Sequence, residues 1–115
     1  MEEEKLGLLF TKQDEDLIIT LKGRLDTTTY PILEEKVNNL DYIPKKIVLD
    51  FNELDYISSA GLRVVLTIKK KFKDSTIVLE KMNQFVYDVF DMTGFVDCFT
   101  ITRKEETDAE ANELK

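Results

Sequence analysis

Short apolar runs alternate with amphipathic stretches through most of this 115-residue chain. Leu6–Phe10 ("LGLLF") and Leu17–Leu21 ("LIITL") are compact β-type runs joined by the polar link "TKQDED", a pattern that predicts an antiparallel hairpin. Gly23 ends the second run. Asp26 is then placed to cap a helix through "TTTYPILEEKVNNL", because its carboxylate can accept from amides that a first helical turn leaves unpaired. Pro31 falls near that turn, where a missing N–H matters least. Leu33, Val37 and Leu40 recur at helical spacing and are expected to face a core. Lys46–Phe51 ("KIVLDF") is nearly unbroken in apolar character, as expected of a central strand covered on both faces. "NELDYIS" reads as a loop.

A helix is predicted from about Ala60 to Lys73. At about 100° per residue, Leu62, Val64, Val65, Leu66, Ile68 and Phe72 share one broad apolar face, with Arg63, Thr67 and Lys70 opposite. The lysines of "KKKFK" gather at its C-terminal end, where positive charge complements the helix dipole. That local role accounts for the cluster better than nucleic-acid contact. Ser75–Glu80 ("STIVLE") is a third buried-type strand. Asn83 can cap a helix "QFVYDVFDMTG", with Phe85, Val86, Val89 and Phe90 inward and Gly94 as its stop. "DCFTIT" supplies a last strand. Thr107 and Glu110 have capping-box spacing, so "DAEANELK" is expected to form a final helix, docked weakly through Ala109, Ala111 and Leu114. The order ββαβαβαβ(α) defines an α/β sandwich: a mixed sheet with central parallel strands, an N-terminal hairpin, and helices packed alongside. Residues 1–103 are expected to form the domain and 104–115 a tail.

An apolar fraction of 43% with 4 Gly and 2 Pro suits one folded domain of this length. Carboxylates outnumber cationic side chains 23 to 16, for a net charge of −7. That balance disfavours nucleic acid and anionic membrane surfaces, leaving proteins as the expected partners. The opening "MEEEKLG" is acidic, and no run approaches the roughly 18 apolar residues of a membrane span. No signal peptide and no membrane insertion are therefore expected, and the location is expected to be cytoplasmic. A single cysteine, Cys98, leaves no internal disulfide and no multi-thiolate metal site. Its place in "VDCFTIT" favours a buried, inert thiol. With no histidine, Ser-His-Asp and Cys-His nucleophiles and most zinc sites drop out, and no metal or cofactor is expected.

In an open α/β sheet, function collects at the carboxyl ends of the strands. Three features converge there: Asp26 in "GRLD", the acids Glu53 and Asp55 with Asn52 after the central strand, and "SSAG" opening the next helix. A serine at that junction can cap the helix. Capping is the commoner use; the sharper one is to accept a phosphoryl group, whose charge the free first-turn amides would tolerate. Spacing alone does not choose. A receiver-type reading, with Asp50 as phosphoacceptor, needs carboxylates after the first strand and a placed lysine. "LLFTKQDED" offers acids only in a hairpin link, so Asp50 is expected to be structural. Asp50 and Asp55 also lack the glycine-rich phosphate loop of an enzyme. The chain reads as a binding module, not a catalyst.

"GRLDTTTYPIL", "KIVLDFNELDYISSAGLRVVL" and "FDMTGFVDCF", in this order, resemble the STAS domain family of sulfate transporters and anti-sigma factor antagonists. The resemblance runs from Leu6 to about Thr102. For a bacterial stand-alone protein it implies partner switching. The unphosphorylated chain binds an anti-sigma factor that is itself a serine kinase, phosphorylation releases it, and a serine phosphatase resets the system. The serine two positions before the motif glycine is the implied acceptor, here Ser59. The residue before it, often Asp in sigma-regulating members, is Ser58, which becomes the alternative acceptor. The implied partner surface comprises Asp26, Thr27, Asp55, Ser58, Ser59, Ala60, Gly61 and Arg63. The second functional expectation is a constitutive STAS adaptor, a subunit of a transporter or other assembly, in which Ser59 only caps its helix.

Overall fold

A hairpin followed by strand–helix units accounts for residues 5–104, the part of the chain that the computed structural model describes. The hairpin strands are β1 (Leu6–Gln13) and β2 (Asp16–Leu25). Then come α1 (Tyr30–Asn38), β3 (Lys46–Ile57), α2 (Ser59–Lys71), β4 (Thr76–Met82), α3 (Gln84–Met92), a 3₁₀ turn over Val96–Cys98, and β5 (Thr100–Arg103). The strands lie in the sheet in their sequence order. β1 is antiparallel to β2, and β2, β3, β4 and β5 run parallel. This is the mixed α/β architecture the hydrophobic pattern predicts. The predicted final helix lies outside the described residues.

Alternation in the strands places one set of residues in the core: Leu17, Ile19 and Leu21 from β2, Ile47, Leu49 and Phe51 from β3, and Ile77 and Leu79 from β4. Helical spacing brings Leu33 and Val37 of α1, Leu62, Val64, Val65 and Ile68 of α2, and Val86 and Phe90 of α3 into the same cluster. Phe90 stands beside Phe51, ring centres 6.4 Å apart, and meets Phe99 edge-on at 5.9 Å, an arrangement the ring quadrupoles favour. The alternate positions Ile18, Thr20, Val48, Asp50, Val78 and Glu80 are only half-buried among the described residues. The central strand is thus fully covered on one face, not on two. Its continuous apolar run follows from Val48 lying between buried neighbours.

Three further expectations change. "NELDYIS" is not a loop, because β3 continues to Ile57. It is disguised by two register shifts against β2: Thr20 and Lys22 pair with Asp50 and Glu53, and Gly23 and Arg24 pair with Leu54 and Tyr56. Each shift gives β3 one extra residue, a bulge that breaks the period of two and sends Glu53 and Asp55 to solvent. Cys98 is exposed, not buried, because the 3₁₀ turn delays the strand until Thr100. Phe85 is also on the surface, 48% exposed. Val86 and Phe90, four apart, fill the inward stripe of α3 without it.

The end of α3 is a Schellman closure. The Phe95 amide donates to the Phe90 carbonyl at 2.9 Å and the Gly94 amide to that of Asp91 at 3.0 Å, with Gly94 at φ +81°. A Cβ on Gly94 would meet nothing within 4 Å, so substitution there isolates the conformational term. Gly94→Ala is expected to cost about 1 kcal/mol in urea unfolding, with an unchanged m-value.

Candidate partner-binding and phosphorylation site

The junction between β3 and α2 divides two adjacent hydroxyls between two tasks. Ser58 is the N-cap. Its backbone is extended at φ −104°, ψ 178°, and its Oγ accepts from the Gly61 amide at 3.3 Å. Its own amide donates to the Leu25 carbonyl at 3.0 Å, tying the end of β3 to the end of β2. Ser58 is half-buried and committed. Ser59, the first residue of α2, is exposed, and its hydroxyl makes no hydrogen bond to another described residue. The amides of Ser59 and Ala60 lie in the first turn, where no intrahelical carbonyl is available to them. A free hydroxyl thus stands at the positive end of a 13-residue helix.

Gly61 is buried and contributes packing, not contact surface. A Cβ there would sit 2.3 Å from the Leu25 carbonyl oxygen and 2.9 Å from Leu25 Cγ. Only glycine lets the first turn of α2 settle on the end of β2. Its inclusion in the expected partner surface is corrected on this ground.

The segment after β2 is organised by one carboxylate. Asp26 Oδ1 accepts from the Thr28 amide at 3.0 Å, the Thr28 hydroxyl at 2.9 Å and the Thr29 amide at 3.2 Å, while Oδ2 faces Arg24 Nε at 3.4 Å. Asp26 therefore caps a turn, and α1 starts only at Tyr30, later than the sequence suggests. The Asp26 carbonyl receives the Tyr30 amide at 2.9 Å. Thr29, buried, closes the turn from below, its hydroxyl donating to the Arg24 carbonyl at 2.8 Å and accepting from the Asp26 amide at 2.9 Å. Burial pushes the Asp26 pKa up. The bonds from the Thr28 hydroxyl and amide, the Thr29 hydroxyl and Arg24 outweigh it together and bring the pKa from 3.8 to about 2. Thr27 is exposed at the tip of the turn.

The remaining expected residues divide between two grooves. Asp55 lines one of about 590 Å³ with Lys22, Asn52, Glu53 and Lys104, whose ammonium donates to the Asn52 carbonyl at 2.7 Å. Ala60 and Arg63 line another of about 160 Å³ with Tyr30 and Glu34. Asp26 and Ser59 lie at the carboxyl ends of neighbouring strands, joined through the Ser58–Leu25 bond.

Sequence reasoning missed a stack on the same rim. The Arg24 guanidinium lies 4.2 Å from the centre of the Tyr56 ring, and Tyr56 stacks on Phe85 at 5.4 Å. Residue types of this kind anchor protein interfaces. Single-sequence spacing holds no signal for it, since the bulged register brings Arg24 beside Tyr56.

The family model for the STAS domain matches residues 8–108. The chain is 36% identical over 109 residues to BtrV of Bordetella bronchiseptica, provisionally named an anti-sigma factor antagonist, covering 92% of this chain and 94% of that one. In fold it is similar to an anti-sigma factor antagonist from Mycobacterium paratuberculosis, with a TM-score of 0.78 and 19% identity over 90% of this chain and 92% of that one. It is also similar to SpoIIAA in its unphosphorylated form, with a TM-score of 0.73 and 19% identity over 93% and 97%. The chain belongs to the STAS domain family.

Two substitutions separate the hydroxyls. Ser58→Ala is expected to lose about 1 kcal/mol of stability with its cap, whereas Ser59→Ala stays within about 0.5 kcal/mol, both measured by urea denaturation. Asp26 gives a pH signature. Because its folded pKa is depressed, its contribution is complete above the ordinary value of 3.8 and is lost as pH falls toward about 2. Asp26→Asn should therefore lower stability at neutral pH, and its deficit against the wild type should shrink across that acid window in thermal melts.

Proposed function

We propose that this protein is an anti-sigma factor antagonist, switched by phosphorylation of Ser59. The observation that carries the reading is the exposed, unbonded Ser59 hydroxyl at the start of α2, in a chain 36% identical to a relative of that name. In the unphosphorylated state the rim formed by Asp26, Thr27, Asp55, Ser58, Ser59, Ala60 and Arg63 docks an anti-sigma factor. The Arg24–Tyr56–Phe85 stack extends that surface as its apolar anchor. Binding holds the anti-sigma factor away from its sigma factor, in the cytoplasm.

The anti-sigma factor then acts as a serine kinase, passing a phosphoryl group from ATP to Ser59 Oγ. The modification adds roughly −1.5 to −2 charges. First-turn amides temper that charge within the fold, so the domain survives it. In the interface the same charge joins Asp26 and Asp55 and meets a surface fitted to a neutral hydroxyl. Burying uncompensated charge costs several kcal/mol, and a loss of about 2.7 kcal/mol already weakens binding about a hundredfold. A serine phosphatase restores the hydroxyl. Ser58, half-buried and spent on Gly61, is the poorer acceptor.

The test is incubation of the full chain with its anti-sigma factor and ATP, followed by mass spectrometry and titration calorimetry. Wild type should gain one phosphate and lose affinity about a hundredfold. Ser59→Ala should stay unmodified and bind, and Ser59→Asp should bind poorly. Modification of Ser58 would move the acceptor by one residue. Equal affinity for all forms would leave a constitutive adaptor.

A further inference from the structure

The net charge of −7 is carried by the two ends of the sequence. Residues 5–104 contain 15 Lys and Arg against 15 Asp and Glu. Residues 1–4 add three carboxylates, and residues 105–115 add five carboxylates and one lysine. Within residues 5–104, Lys69, Lys70, Lys71 and Lys73 crowd the end of α2. The ion pairs among the described residues, Arg24–Asp26 and Lys45–Glu15, include none of them. Lys69 lies over the Phe99 ring and Lys71 over that of Phe72, which engages their charge without cancelling it. Beside them runs a groove of about 470 Å³, with Leu66 and Phe95 as its apolar floor and Lys69, Lys70, Lys73 and Cys98 on its sides.

We propose that this groove is the docking surface for the chain's own acidic C-terminal segment, residues 105–115. Charge complementarity argues for it: Glu105, Glu106, Asp108, Glu110 and Glu113 meet an unneutralised lysine cluster, with Leu114 available for the floor. Reach allows it. Cys98 precedes Lys104 by six residues, so the two are at most about 20 Å apart, while the ten residues from Glu105 to Leu114 extend up to about 35 Å. The half-buried sheet face around Val48 and Val78 carries Asp50 and Glu80 beside Lys22 and Lys46, a mixed set of charges without the run of lysines found at the end of α2. The lysines that the dipole of α2 favours at its end therefore also serve as a receptor for the tail, at the opposite end of the strands from Ser59.

Cys98 is the sole thiol, exposed and on the groove wall, and so reports coverage directly. The experiment follows its reaction with the uncharged reagent 4,4′-dithiodipyridine on the full chain. Rates are taken across pH, so that the plateau above the thiol titration separates access from thiolate fraction. Replacing all five carboxylates (E105Q/E106Q/D108N/E110Q/E113Q) should raise the plateau rate about fivefold, an effect within the range of a few exposed ion pairs. K69Q/K70Q/K73Q and wild type in about 1 M salt should do the same. A plateau unchanged in all three overturns the proposal. So does a rise produced by E2Q/E3Q/E4Q with the C-terminal carboxylates intact, or protection that grows with protein concentration, which would mean a second copy supplies the segment.

Discussion

The candidate site rests on how closely the first turn of α2 lies against the end of β2. The Ser58 amide bonds the Leu25 carbonyl at 3.0 Å, and Gly61 passes so near that same oxygen that a Cβ would overlap it at 2.3 Å. This contact fixes the helix start in both tilt and rotation. With Ser58 turned inward to cap and Gly61 facing the sheet, Ser59 between them has only solvent to face. Its exposure is thus a geometric consequence of its neighbours' commitments. The Asp26 turn is positioned by the same strand end, since it begins one residue after Leu25.

The rim sets exposed side chains on a hydrogen-bonded base. Thr29 is buried and fully bonded, Asp26 organises its turn through several hydrogen bonds, and Ser58 is locked. Thr27, Ser59 and Arg63, whose side chains make no hydrogen bond to another described residue, are exposed beside this frame. Charged and hydroxyl groups held by packed neighbours lose little entropy on meeting a partner, which favours docking on such a scaffold.

Much of this was legible in the sequence because the governing signals are local. The helical stripes Leu33/Val37 and Leu62/Val65/Ile68, the Asn83 cap and the Gly94 stop each follow from residues a few positions apart, and each is found. What escaped depends on pairing between strands. The bulges of β3 hide its last six residues, because an inserted residue destroys the period of two while the backbone stays extended. The Arg24–Tyr56–Phe85 stack joins three elements and has no spacing to betray it. The overall acidic balance also hides a local contrast: residues 5–104 carry equal numbers of acidic and basic side chains, with lysines gathered at the end of α2.

Strand order in the sheet repeats strand order in the chain, and this has a kinetic corollary. Among the described residues every strand pairs with the one just synthesised, so no pairing must wait for a distant segment, and each connection is a hairpin or a single crossover. Asp26 and Ser59 flank the β2–β3 pair. Their shared rim can assemble on a ribosome-bound chain once α2 has emerged, before β5 exists to complete the sheet.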